Sequence, residues 1–298
     1  MTRGDLNLIE RIYHSLSYRA VYNYCLFLKS VKTRYTPKIS WQPIDLSLPR
    51  FVSIVYDADV PLLVRSLHHL MKWTDKSPQL WLVGDSDAAY VKLQSSLGNS
   101  LPNGVELWHW QTLLQTLDIS YQNFIKTWEA SGKWGGYSRR FAVTLAANSC
   151  ADIIMFDADV LWYGNFPSSL QKLTQKESNI LAGKDYDRAY DLEVASFLGN
   201  PKILENEPLN CGIVYYPKSI LLNVVTPELV MKLLPYAARA TNHLEQTLVA
   251  YAFWQSRGQW FDSKIVATTM VDRLSFQNQV QSLARHYAGA KHLFWRDA

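Results

Sequence analysis

Apolar positions recur at three- and four-residue spacing through Leu6, Ile9, Tyr13, Leu16 and Ala20, which predicts a helix over residues 5–31. Thr36 to Pro49 holds three prolines and reads as a linker. From Phe51 the pattern changes. Short apolar runs at Phe51–Tyr56, Gln79–Val83, Val105–Trp110, Asp152–Phe156, Ile180–Ala182 and Ile213–Tyr216 predict strands. Helical spacing predicts helices at Pro61–Trp73, Tyr137–Ala147, Glu228–Ala238 and Leu244–Gln255. Strands alternating with helices imply an α/β fold, a Rossmann-like, mostly parallel sheet covered on both faces. Asp152–Phe156 is so apolar that it must be central. The division is an N-terminal helical extension and linker, 1–44, followed by one domain, 45–298.

Composition narrows the class. The 298 residues are 48% hydrophobic and 19% charged, which fits a globular chain and excludes a disordered one. Cys25, Cys150 and Cys211 lie far apart, so no pair has metal-ligand spacing, and their odd number favours a reducing, cytoplasmic setting. The formal net charge is +4, and residues 1–40 alone carry seven Lys and Arg against two acids. The remainder is about neutral, which disfavours nucleic acid as a partner. The basic, aromatic N-terminal segment, residues 5–38, is compatible with peripheral attachment to an anionic membrane surface or with packing on the domain. No early apolar run is long enough for a bilayer span or a signal peptide.

The candidate chemistry centres on the strand that stops abruptly at Asp157-Ala158-Asp159. Two carboxylates with one residue between them can both reach one hard cation, Mn²⁺ or Mg²⁺, where a strand bends into a loop. In open α/β sheets ligands bind at the carboxyl ends of strands. The bare Asp-x-Asp pattern also occurs at Asp57–Asp59, Asp85–Asp87 and Asp185–Asp187, but only the 157–159 copy follows a wholly apolar strand.

Three further segments share the order of a known family. Lys133-Trp134-Gly135-Gly136-Tyr137-Ser138-Arg139-Arg140 leads into a helix before the Asp157–Asp159 strand. Leu209-Asn210-Cys211-Gly212 opens a later strand, and His286-Tyr287-Ala288-Gly289-Ala290-Lys291 lies near the end of the chain. Together they resemble the glycosyltransferases with the A-type nucleotide-sugar fold, most closely family 8, which includes glycogenin and the bacterial lipopolysaccharide galactosyltransferases.

The resemblance implies a metal-dependent enzyme that moves a hexose from a nucleotide sugar, a UDP-sugar in that family's habit, to a glycan, lipid-linked or other hydroxyl acceptor with retention. It implies that His286 completes the metal site with Asp157 and Asp159. It assigns Tyr137 and Arg139, with Arg140 as the alternative, to the Tyr-x-Arg helix, and Lys291, beside Gly289, to the diphosphate. Asn210 and Gly212 match its Asn-x-Gly strand. Tyr56 and Asp57 stand where such folds meet the base and ribose, although a turn or helix cap explains Asp57 equally well. Asp185 is a candidate for orienting donor or acceptor, or part of a solvated loop. Glu245 and Gln246 match a segment near the acceptor, with a first-turn acid favoured by the helix dipole as the alternative for Glu245. Trp108, Trp110, Trp134 and Trp162 are candidates to stack on sugars, with core packing as the better default. The competing classes are a catalytically inactive carbohydrate-binding scaffold on the same fold, a sugar nucleotidyltransferase, and a phosphatase of the haloacid dehalogenase type, whose Asp-x-Asp lies near the chain start.

Overall fold

The computed structural model describes residues 8–98, 101–132, 135–174, 179–269 and 282–298. Ten strands are defined in chain order: β1 Arg50–Val55, β2 Leu80–Gly84, β3 Val105–His109, β4 Ile153–Phe156, β5 Val160–Trp162, β6 Leu181–Lys184, β7 Leu209–Tyr216, β8 Gln259–Trp260, β9 Val266–Thr268 and β10 Ala284–His286. Seven form the main sheet in the order β3-β2-β1-β4-β7-β6-β8. β1 pairs in parallel with β2 and β4, β2 with β3, and β6 with β8. β7 alone is reversed, antiparallel to both β4 and β6.

The alternation of side chains along β4 explains its central place. Ile153 and Met155 enter one core cluster with Phe141, Val214 and Phe253; Ile154 and Phe156 enter the other with Phe51, Trp162 and Tyr215. All four β4 residues are fully buried, as expected for a strand covered on both faces. The helix Gly135–Cys150 lies in the first cluster and is buried along most of its length from Ser138 to Asn148. Helices Ile119–Ala130, Pro227–Ala237 and Leu244–Gln255 complete that face. Helices Val60–Trp73 and Lys291–Asp297 cover the other.

The expected helices and strands are present, with ends shifted by a few residues. The N-terminal helix is described from Leu8 to Lys32. The stretch read as a linker is tied down: Ile44 bridges to Ser77, and Leu48 is buried. Two features are not among the expected elements: helix Ile119–Ala130, whose Tyr121, Phe124, Ile125 and Trp128 are buried at helical spacing, and a second sheet, β5-β10-β9. β5 and β10 are antiparallel, with His286 opposite Val160. That register carries the terminal histidine to the residues that follow β4.

Candidate active site

The main-sheet strands that run in one direction end on a shared rim, and a cavity of about 350 Å³ opens there. Asp157 and Asp159 occupy the tight connection from β4 to β5. The Asp157 amide donates to the Gly212 carbonyl at 2.9 Å, and the Val160 amide donates back to the Asp157 carbonyl at 3.2 Å. The Asp159 carbonyl accepts from the Tyr287 amide at 3.1 Å, so the last strand is stitched to this turn.

His286 Nε2 stands 3.4 Å from Asp157 Oδ2 and 3.4 Å from Asp159 Oδ1. One ligand atom from each of the three residues lies within 4.8 Å of the others. Neighbouring ligands of an octahedral ion with bonds of about 2.1 Å stand about 3 Å apart, so this oxygen–oxygen–nitrogen set fits one hard divalent cation on one side and leaves its other positions for substrate or water.

The histidine ring is held in place by its neighbours. Its Nδ1 lies 2.8 Å from Asn210 Oδ1, which also accepts from the Gly212 amide at 2.9 Å. Asn210 Nδ2 donates to Asp185 Oδ2 at 3.1 Å, which fixes which way the amide points. An acceptor at Nδ1 selects the tautomer that carries its proton there and leaves the Nε2 lone pair for a cation. Gly212 makes room: a Cβ there would stand 2.0 Å from His286 Nδ1. Without a cation, the neighbouring Asp159 and Asp157 carboxylates raise the His286 pKa against the opposing effect of burial. Asp159 is shifted down, because His286 outweighs its burial.

Arg140 forms the floor. Its Nε donates to Asp157 Oδ1 at 3.1 Å, and its terminal nitrogens bond Glu245 and the Cys211 carbonyl. Glu245 is buried, and loss of water pushes its carboxyl up to about 7 against the pull of Arg140. Arg140 is held charged by Asp157 and Glu245 despite its own burial. Lys291 Nζ donates to Asp59 Oδ2 at 2.6 Å, and its pKa is raised by Asp159 and Asp59 against burial.

The cavity wall brings together Tyr56, Tyr137, Asp157, Asp159, Asp185, Asn210, Gly212, Glu245, Gln246, His286, Gly289 and Lys291. Gln246 Nε2 is tied to the Leu209 carbonyl at 2.6 Å. Two of the predicted residues stand outside the wall. Arg139 points the other way, to Glu129 Oε1 at 2.8 Å and the Asp85 carbonyl at 2.9 Å, with its guanidinium 5.2 Å from the Trp110 ring centre. Asp57 lies in a single 3₁₀ turn after β1, and Asp59 from that turn reaches the wall in its place. Among the tryptophans, Trp110 and Trp162 are buried, Trp108 is half-buried and packs against Trp81, and Lys133 and Trp134 fall outside the described residues.

The sequence reading passed over Asp59, Asp85 and Asn242 as wall residues. Position at a strand's carboxyl end was the available signal for the two aspartates. Nothing local marked Asn242. Gly136 also has a fixed reason to be glycine: a Cβ would collide with the Tyr56 hydroxyl.

No family model matches the chain, and no curated protein sequence does. Solved structures do match its fold. Mouse xyloside xylosyltransferase 1 superposes with a TM-score of 0.56 at 14% identity, over 80% of this chain and 97% of that one. The WbbM bifunctional glycosyltransferase gives 0.54 at 13% identity, over 85% of this chain and 48% of that one. The fold is thus one that glycosyltransferases use, a mixed α/β architecture of the A type.

Proposed function

We propose that the chain is a metal-dependent glycosyltransferase that moves a hexose from a nucleotide sugar, a UDP-sugar by preference, to a glycan or lipid-linked hydroxyl. One observation carries this reading beyond the fold. The cavity wall holds six carboxylates, Asp59, Asp85, Asp157, Asp159, Asp185 and Glu245, against two permanent cations, Arg140 and Lys291. A nucleoside diphosphate would be repelled from such a wall. With a divalent cation on Asp157, Asp159 and His286 it would be attracted.

The bound cation would supply the positive charge that stabilises the diphosphate as it departs. The chain's own residues do the rest. Lys291 stays protonated, and by exchanging Asp59 for a phosphate oxygen it adds a second positive contact. Arg140 engages one oxygen of Asp157 and leaves the other turned to the metal side. Asp185, clamped through Asn210, presents a carboxylate at the rim for sugar hydroxyls. Retention and membership of family 8 follow from the resemblance of the motifs. The fold likeness supports the reaction class without selecting base, sugar or acceptor.

The test is thermal melting with a panel of nucleotide sugars, with and without Mn²⁺. Ligands that bind the native state raise apparent stability by mass action. We expect stabilisation by a nucleoside diphosphate sugar only when the cation is present. Equal stabilisation in excess chelator would refute the metal reading. No response to any nucleotide sugar would refute the donor.

A further inference from the structure

Among the described residues, the helix from Arg19 to Lys32 has two apolar sides, and one of them is packed on the core. Val21 and Cys25 turn inward to the core cluster that includes Leu293, Phe294 and Trp295, with Cys25 fully buried. Tyr22 meets the ring of His292 at 5.1 Å. Tyr24, Phe27 and Val31, spaced three and four residues apart, line another side of the helix, and Tyr35 follows just past its end. Tyr24 is 55%, Phe27 62% and Tyr35 71% exposed. Single exposed apolar residues need no explanation, but a run of them at helical spacing does.

Charge identifies what can cover this face. From Arg19 to Ile44 there are five Lys and Arg and no acid. Arg19, Lys29, Arg34 and Lys38 are exposed, and none joins an ion pair among the described residues. A second copy of the chain would bring the same cations to a two-fold contact with no acid in the segment to answer them. An anionic lipid surface answers both features. Aromatic side chains settle at the headgroup level, and Lys and Arg meet the phosphates. No described helix is long and apolar enough to cross a membrane, so the contact would be peripheral.

We propose that this second face of the N-terminal helix docks the protein on an anionic membrane surface through Tyr24, Phe27, Val31 and Tyr35, flanked by Lys29, Arg34 and Lys38. The same helix packs on Lys291–Asp297, whose first residue reaches the candidate site. Docking would therefore bring the membrane to the helix that packs on the one carrying Lys291. A membrane-borne acceptor follows. That consequence rests on the proposed transferase reading, whereas the docking itself does not.

The test is sedimentation of the full chain with vesicles of phosphatidylcholine alone, or with about 30% phosphatidylglycerol, at low and high salt. We expect binding to the anionic vesicles only, weakened by salt. Tyr24→Ser with Phe27→Ser should lower partition about tenfold or more, as should Lys29→Glu with Arg34→Glu, with melting temperatures unchanged because all four side chains are exposed. Failure to bind anionic vesicles at low salt would overturn the proposal. So would equal binding by the variants, or a dimer in solution that Tyr24→Ser with Phe27→Ser dissolves. Melting with Mn²⁺ and UDP on the same samples shows independently whether the donor site stands.

Discussion

At Asp157 the two carboxylate oxygens have different employments. Oδ1 is taken by Arg140, and Oδ2 faces His286. The same division of labour runs through Asn210, whose oxygen holds His286 and whose nitrogen holds Asp185. We expect His286→Ala to remove the third ligand and abolish tight Mn²⁺ binding. Asn210→Ala leaves all three ligands in place and frees the ring. It should weaken Mn²⁺ about 10–100-fold, the usual cost of losing a partner that orients a ligand. Calorimetric titration of Mn²⁺ with UDP present checks both. An unchanged affinity in Asn210→Ala would show that the ring needs no such support.

At this scale the sequence was legible where an apolar run stops at a carboxylate. All four Asp-x-Asp copies sit at the ends of β1, β2, β4 and β6, and each gives at least one residue to the cavity wall. The sequence singles out only the third, yet the strand before the second, Leu80–Gly84, is equally apolar and fully buried, so the apolar strand alone does not separate the copies. The choice between Arg139 and Arg140 was not legible. Adjacent helical positions point about 100° apart, and which faces the site depends on how the helix is rolled against the sheet.

Among the elements, the helix Gly135–Cys150 carries a guanidinium into the interior. It delivers Arg140 to Glu245 on the helix Leu244–Gln255 and to the end of β4. Removing one partner of a buried ion pair strands the other, at a cost of about 3–5 kcal/mol. Arg140→Met should therefore destabilise by that order in urea unfolding, and Arg140→Met with Glu245→Gln should recover part of the loss. A full loss in the double variant would show that Asp157, not Glu245, is the stranded group.

Glu245 and His286, from the helix Leu244–Gln255 and from β10, set a pH response. Glu245 is raised from 4.5 to about 7 in the folded chain, and His286 is raised from 6.5. A folded-state pKa above the unfolded one favours the native state below the unfolded value, and the gain is lost as pH rises through the folded value. Without cation the protein should melt at a higher temperature near about pH 5.5 than near about pH 8. Saturating Mn²⁺ with UDP should shrink or reverse that order, since the metal needs a neutral imidazole. A melting temperature that rises with pH in chelator would contradict both shifts. The longer strands of this arrangement were readable as apolar runs, and its two helices as elements, although both are buried on most sides and show no one-sided apolar stripe. β5, β9 and β10 were not, because three residues are too few to show a period and their pairing is fixed by tertiary contact.

Across the whole molecule, the later turns of the N-terminal helix lie against the last helix of the chain. Lys32 Nζ donates to the Ala298 carbonyl, Arg65 donates to the Lys32 and Tyr35 carbonyls, and Cys25 is buried near the helix Lys291–Asp297. The N-terminal extension is thus a buttress for the helix that begins with Lys291. Deleting residues 1–44 should lower the melting temperature and weaken UDP binding, although none of the described side chains in that segment lines the cavity. Limited proteolysis should then cut first near residues 291–298. A truncated protein with unaltered melting and UDP affinity would show the buttress to be dispensable. From sequence, the change of pattern at Phe51 was readable, but the docking of the N-terminal helix on the far end of the chain was not. Long-range packing leaves no local signature.

The pairing of β10 with β5 has a consequence for the order in which the protein becomes competent. The Asp157–Asp159 turn belongs to the middle of the chain, whereas His286 arrives on one of its last strands. A cation held by all three would behave as a reversible cross-link closing a loop of more than a third of the chain, and loops of that size form late because their closure carries a large entropy cost. A nascent or partly refolded chain could therefore complete its main sheet and still lack the third ligand. Its capacity to hold the metal would report that the terminal strand is home, so chemistry at the site is withheld until assembly is finished.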